Sequence, residues 1–350
     1  MEEPSSVKRL INLDLLRGVS AIGIMVYHYL TWMYGEYSAD TIFGRIGVYG
    51  VSVFYVLSGL TLFHVYYERM KPSGVDVRAF FKKRILRIFP LLWLATGVSV
   101  LLSWKAPDPQ ILMLNLTGLF GFFSWDTYLS GGVWSIGNEL VFYVFFPFFV
   151  FFSKRNIAFM VVLSVALFGL YLYFSFGVLP SCPEPEQWRN YINPLNQVFL
   201  FLGGFLVGLF FKNQRYKNGV LFIVLLASVF LFVFYPVFGP QFAVKTGFNR
   251  LVFTSLCLAI CFCFYKISMP LPRLVGRGFS FLGEISYSVY LLHPHVYDLM
   301  GRFRFQVYPI SGYARTGISI VLTLVVSYFV YRYFERVFMR LGSTSAQQGF

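Results

Sequence analysis

Charge is what this chain has least of. Only 13% of its 350 residues are Asp, Glu, Lys or Arg, about half the share of a soluble globular protein. Acidic groups are scarcer than basic ones, 15 against 29, and there are four histidines. Cysteine is also sparse. Cys182 lies in a polar break, and Cys257, Cys261 and Cys263 share one apolar run. That leaves no even, loop-borne framework, so structural disulfides are not expected. The three clustered thiols have no His or acidic partner nearby, so no metal is expected either. Alternation of period two is missing: the apolar runs are continuous and about 20 residues long, which argues against a barrel and for helices. No internal repeat of the kind common in transporters is evident. The first apolar run, from near residue 10, is too long for a signal h-region and no small-residue cleavage site follows it, so it is expected to stay as a span.

What the chain has instead is apolar surface, 57% hydrophobic with 43 Phe, 24 Tyr and 6 Trp. The expected fold class is an all-α integral membrane protein. Ten runs of spanning length fall at 10–34, 46–67, 86–104, 134–152, 157–177, 195–211, 218–236, 249–265, 279–300 and 313–333. Segment 111–133 is apolar too, but broken by glycine and rich in Thr, Asn and Ser. The positive-inside rule decides its status. With ten spans and 111–133 as a re-entrant outer segment, both termini are cytoplasmic and 20 of the 29 basic residues lie inside. Counting 111–133 as a span destroys that bias. The net charge of +14 is then mainly a topology signal with some attraction to anionic membrane lipids, and no nucleic-acid partner is expected. Residues 1–340 read as one membrane domain, and 341–350 as a polar, disordered tail.

The first run, "LDLLRGVSAIGIMVYHY", carries Asp14, Arg17 and His28. A charge in mid-bilayer costs roughly 2.5–3.5 kcal/mol on insertion scales. Arg17 and His28 are eleven residues apart, about three turns, so with Asp14 they form one polar stripe facing the bundle interior. A bland reading is available: an Asp14–Arg17 pair at the helix entry and a satisfied core histidine. A second charged stretch, "VRAFFKKRILRIFP", is denser than topology alone requires, and Arg84 and Arg87 sit one turn apart within it. His64 reads as an interfacial histidine. In "HPH", Pro294 kinks the helix and frees carbonyls that His295 can satisfy. His293 is weighed for a chemical role alongside that structural one.

Taken together, these motifs resemble the membrane-bound acyltransferase-3 family. The resemblance rests on "LDLLRG" with His28 in an Arg-x10-His arrangement, "VFYVLSGLTLF" at 53–63, "RILR" at 84–87, "VWSIGNELVFYVFFP" at 133–147 and "ISYSVYLLH" at 285–293. It implies a multi-pass enzyme of the cell (inner or cytoplasmic) membrane. That enzyme would move an acyl group, acetyl foremost, from cytosolic acyl-CoA to a hydroxyl of a carbohydrate or glycan, free or lipid-linked. Some members carry a further extracytoplasmic hydrolase-like domain; here transfer would be completed by the membrane domain.

The residue chemistry suits that expectation. A hydroxyl attacking a thioester must lose a proton, and a histidine of ordinary pKa near 6.5 is fitted to take it, which nominates His28. Glu139 would orient His28 or bind the acceptor. Arg17 would stabilise oxyanion charge or bind donor, and Asp14 would pair with it. Guanidinium forks match phosphates, which assigns Arg84 and Arg87 to acetyl-CoA or another acyl-CoA. The rivals are the same chemistry on a hydrophobic natural product, and a transporter or channel using the Asp14/Arg17/His28 stripe as an ion path.

Overall fold

The computed structural model describes residues 10–71, 73–268, 272–302 and 312–344, and no strand occurs among them. The chain order begins with α1 (Ile11–Tyr34), α2 (Ile42–Tyr66), α3 (Gly74–Ser103), α4 (Pro109–Thr117) and α5 (Phe120–Phe123). Next come α6 (Trp134–Arg155) and α7 (Ile157–Leu172), then a π-helical turn at Tyr173–Val178, α8 (Leu179–Ser181) and α9 (Glu184–Tyr191). They are followed by α10 (Pro194–Phe211), α11 (Asn218–Phe234), a 3-10 turn at Gln241–Lys245 and α12 (Gly247–Lys266). The last are α13 (Arg273–Arg302), α14 (Gly312–Val330), a second π-helical turn at Tyr331–Glu335 and α15 (Arg336–Thr344). Among the described residues, seven helices are long and apolar enough to cross a membrane: α2, α3, α6, 157–181, 186–211, α12 and 312–342. The chain is an all-α membrane protein.

A helix occupies each of the ten expected runs, but α3 starts at Gly74 rather than near residue 86. The Ser73 side chain accepts the Asp76 N–H and caps it, so the RILR motif lies inside the helix. Segment 111–133 makes no spanning helix. Asp108 and Pro109 start α4, Gly118 at φ 71° ends it, and nine residues rise only about 13 Å. Asn115, fully buried, then ties the loop down by donating to Ile111 O and Thr127 O and accepting from Leu129 N. Of the expected tail, 341–344 continue α15 and 345–350 lie outside the described residues.

Two glycine contacts set the bundle. A Cβ on Gly59 of α2 would lie 2.0 Å from Phe201 O, and one on Gly204 of α10 would lie 1.9 Å from Val56 O. Backbones touch there as in small-residue membrane interfaces. Gly18 of α1 meets Leu282 and Gly283 of α13 in the same way, and Gly283 meets Asp14. Ten residues on in both helices, His28 meets His293. The two helices therefore run parallel in a fixed register. Buried Arg45 clamps the end of α11 by donating to Phe232 O, Val233 O and Tyr235 O.

Candidate active site

The polar residues of five helices converge on one cavity of about 230 Å³. Arg17 enters from α1; Phe54, Ser58 and Thr61 from α2; Arg84, Arg87 and Ile88 from α3; Ser135, Glu139 and Tyr143 from α6; Ser286, Tyr287 and Tyr290 from α13. Three guanidinium groups thus face one carboxylate in a space walled by aromatic rings. The lining itself is therefore richer in positive than in negative charge, and guanidinium donors left free in it suit an anion.

Each guanidinium is positioned by a neighbour. Arg17 Nη2 donates to Thr61 Oγ1 at 3.1 Å, and its Nη1 lies 3.9 Å from Asp14. Arg84 Nη2 donates to Tyr66 OH at 3.2 Å, with its carbon over the Tyr66 and Tyr143 rings, and its buried Nε has no partner. Arg87 Nη1 points at Met339 Sδ, 3.6 Å away. A free donor on Arg84 and a weak sulfur acceptor on Arg87 leave both forks with capacity for a phosphate.

Glu139 is not bonded to His28. Its Oε1 accepts from Ser58 Oγ at 2.5 Å, and it interacts electrostatically with Arg17 and Arg87. His28 does not line the cavity. It lies beyond the end of the cavity remote from the arginines, where its Nδ1 is 2.9 Å from His293 Nε2. The link between cavity and histidines is Tyr290, whose hydroxyl meets Ser135 Oγ at 2.8 Å and Gly132 O at 3.1 Å, and whose ring packs 6.0 Å from that of His293. Loop 124–133 closes this end: Gly131 touches Pro294, and Ser130 Oγ reaches His295 Nε2 at 3.3 Å. On the far side Trp32, 43% exposed, lies parallel to His28.

One buried carboxylate escaped the sequence reading. Glu335, in the second π-helical turn, accepts from Ser288 Oγ at 2.9 Å through Oε2, leaves Oε1 unpartnered, and interacts electrostatically with Arg87. In "YRYFER" it looks like ordinary flanking charge; only the π-turn, a frequent mark of functional sites, turns it inward. Among the described residues no three His, Cys, Asp or Glu side chains form a metal-binding group.

Comparison with known proteins places the chain in a family. A family model described as an acyltransferase domain, that of acyltransferase family 3, matches residues 10–332. The chain belongs to that family. It is 25% identical over 312 residues to the exopolysaccharide production protein ExoZ of Rhizobium meliloti, covering 85% of this chain and 91% of that one. It is 24% identical over 381 residues to the O-acetyltransferase OatA of Staphylococcus aureus, which takes in 98% of this chain but 59% of OatA. A putative acetyltransferase, ORF330, of Acidianus two-tailed virus is 26% identical over 297 residues, with 82% and 83% covered. The chain is therefore a membrane acyltransferase, and the cavity with its histidine pair is the candidate active site of the family domain.

Proposed function

We propose that the chain is an acyl-CoA-dependent O-acyltransferase that moves an acyl group, acetyl foremost, to a carbohydrate hydroxyl. The observation that carries the reading is the cavity itself, in which Arg17, Arg84 and Arg87 face a single carboxylate. A CoA ester brings the phosphates such a cavity needs. In this reading Arg84 and Arg87 hold phosphate, Arg17 faces the acyl end, and the thioester lies toward Ser135 and Tyr290. The acceptor arrives from the Trp32 side. Its hydroxyl proton passes to His28 as the new C–O bond forms and the C–S bond breaks; the imidazolium then gives that proton to the departing sulfur. The name of one relative, an exopolysaccharide production protein, favours a polysaccharide acceptor, and that of another, an O-acetyltransferase, favours acetyl transfer to an oxygen.

The topology that serves this route has ten spans, cytoplasmic termini and a re-entrant 111–133, in the cytoplasmic membrane. It is supported by the basic end of the bundle, where Lys154, Lys212 and Lys266 gather around Glu68 and the ends of α2 and α10.

Acetyl-CoA binding to the purified protein, followed by calorimetry, tests the reading. Charge-assisted hydrogen bonds are worth about 1.5–3 kcal/mol each, so Arg84→Ala/Arg87→Ala should weaken binding at least ~100-fold. His28→Ala should bind normally and transfer nothing. A folded wild-type protein without affinity for acetyl-CoA would sink the proposal.

A further inference from the structure

The histidine pair carries a consequence for which of His28's two nitrogens is the base. His293 Nδ1 faces a carbonyl oxygen, Val289 O, at 3.2 Å, and the Tyr290 backbone also interacts with the ring. The Tyr290 carbonyl is the one that a residue 294 N–H would ordinarily occupy, and Pro294 has none. Carbonyls only accept, so Nδ1 of His293 carries the hydrogen, and in the neutral ring Nε2 is then a bare acceptor. The partner of that Nε2 is His28 Nδ1 at 2.9 Å, with the two rings within 7° of parallel and their centroids 5.1 Å apart. Parallel planes with so short an N···N separation put lone pair and N–H in one plane, a well-formed hydrogen bond. His28 Nδ1 must therefore donate, and its Nε2, which makes no hydrogen bond among the described residues, keeps its lone pair.

We propose that His293 is a positioning residue that locks His28 in the Nδ1–H tautomer and aims the bare Nε2 as the proton acceptor. The inference rests on the reading of His28 as the general base. The chain Val289 C=O, His293, His28 works as a relay of orientation: each N–H is fixed by the acceptor before it. When Nε2 takes the acceptor's proton, the cation on His28 is stabilised through His293 by backbone carbonyls, without a buried carboxylate beside it. The Tyr29 hydroxyl, donating to His293 O at 2.9 Å, and the Trp32 ring, 5.9 Å from that of His293, hold the assembly in place.

The test is the tautomer itself. Protein labelled with 15N-histidine, in lipid nanodiscs, has four imidazoles to assign, and the His28→Gln and His293→Gln variants identify their signals by loss. Both His28 and His293 should show a protonated Nδ1 and a bare Nε2. A protonated Nε2 on His28 overturns the inference. The second arm follows radiolabelled acetyl from acetyl-CoA into the polysaccharide of membranes from the expressing cells. His293→Leu should lower turnover about 100-fold with acetyl-CoA affinity within twofold of wild type. His293→Gln, whose amide oxygen can accept from His28 Nδ1, should recover at least tenfold of that loss. Turnover of His293→Leu within threefold of wild type overturns the positioning role. Should His28→Ala itself transfer acetyl while the tautomer is as stated, it is the general-base reading that fails and not the assignment.

Discussion

The contact of Gly18 with Leu282 makes a prediction about chemistry some 15 Å away. An alanine at residue 18 would place its Cβ 2.7 Å from Leu282 Cβ and 2.9 Å from the Leu282 carbonyl carbon. Carbon atoms in contact want about 3.5–4.0 Å, so α1 and α13 must part by close to 1 Å. Backbone and Cβ atoms cannot swing aside as a side-chain tip can. Ten residues further along, the 2.9 Å bond between His28 and His293 would lengthen toward 3.9 Å, beyond hydrogen-bond range. Overpacking of this kind costs about 1–3 kcal/mol, against which alanine regains up to about 1 kcal/mol of helix propensity. The protein should fold, bind acetyl-CoA within tenfold of wild type through Arg84 and Arg87, and transfer acetyl about 100-fold more slowly. Gly97→Ala is the control, since nothing lies within 4 Å of its Cβ; it should match wild type. Wild-type turnover in Gly18→Ala, with the variant's backbone contact confirmed, would refute the link between the glycine register and the histidine pair.

Three further outcomes are expected. Arg84→Lys keeps the charge but loses the fork and the stacking on Tyr66 and Tyr143, so acetyl-CoA affinity by calorimetry should drop about tenfold; an unchanged affinity would mean that Arg84 acts only as a point charge. Glu335→Gln keeps a partner for Ser288 but removes the negative charge near Arg87, so acetyl-CoA should bind several-fold more tightly; weaker binding would show that the carboxylate holds Arg87 in place. Lys245, in the turn before α12, is buried against Tyr191 at 4.9 Å, Trp188 and Phe242, with Glu36 the nearest acidic influence. Burial pulls its pKa down to about 8, whereas the unfolded chain keeps that proton to about 10.4. Between these values the unfolded state binds more protons, so stability rises with pH. Melting temperatures in detergent should climb from pH 7 to 9.5 more for wild type than for Lys245→Met, and parallel curves would count against it.

Much of the fold was legible because apolar runs of bilayer length are a strong signal, and helices stand where all ten were expected. Boundaries at polar ends were not. The start of α3 was hidden because residues 74–85 are basic and amphipathic, and only the Ser73 cap marks the turn. Arg17 stood out as a charge in an apolar run, and Arg84, Arg87 and Glu139 through motifs that resemble the family's; all four line one cavity. Their partners could not be picked out. Helical period tells which residues share a face, not which helix that face meets, so Ser58 against Glu139 and His293 against His28 were out of reach. Glu335 was lost for a related reason: a π-turn rotates the side chains after it, and a uniform 3.6-residue count assigns it to the wrong face.

The parallel docking of α1 on α13 also constrains how often the chain can cross the bundle between them. A chain that leaves the far end of one helix and must re-enter beside its beginning has to traverse the bundle an odd number of times. Between Tyr34 and Arg273 the long helices are α2, α3, α6, α7, α10, α11 and α12, seven in all. An eighth traverse, through 109–123, would deliver α13 upside down and carry His293 to the opposite end from His28. The register of two glycines thus acts as a parity check on the whole path of the chain.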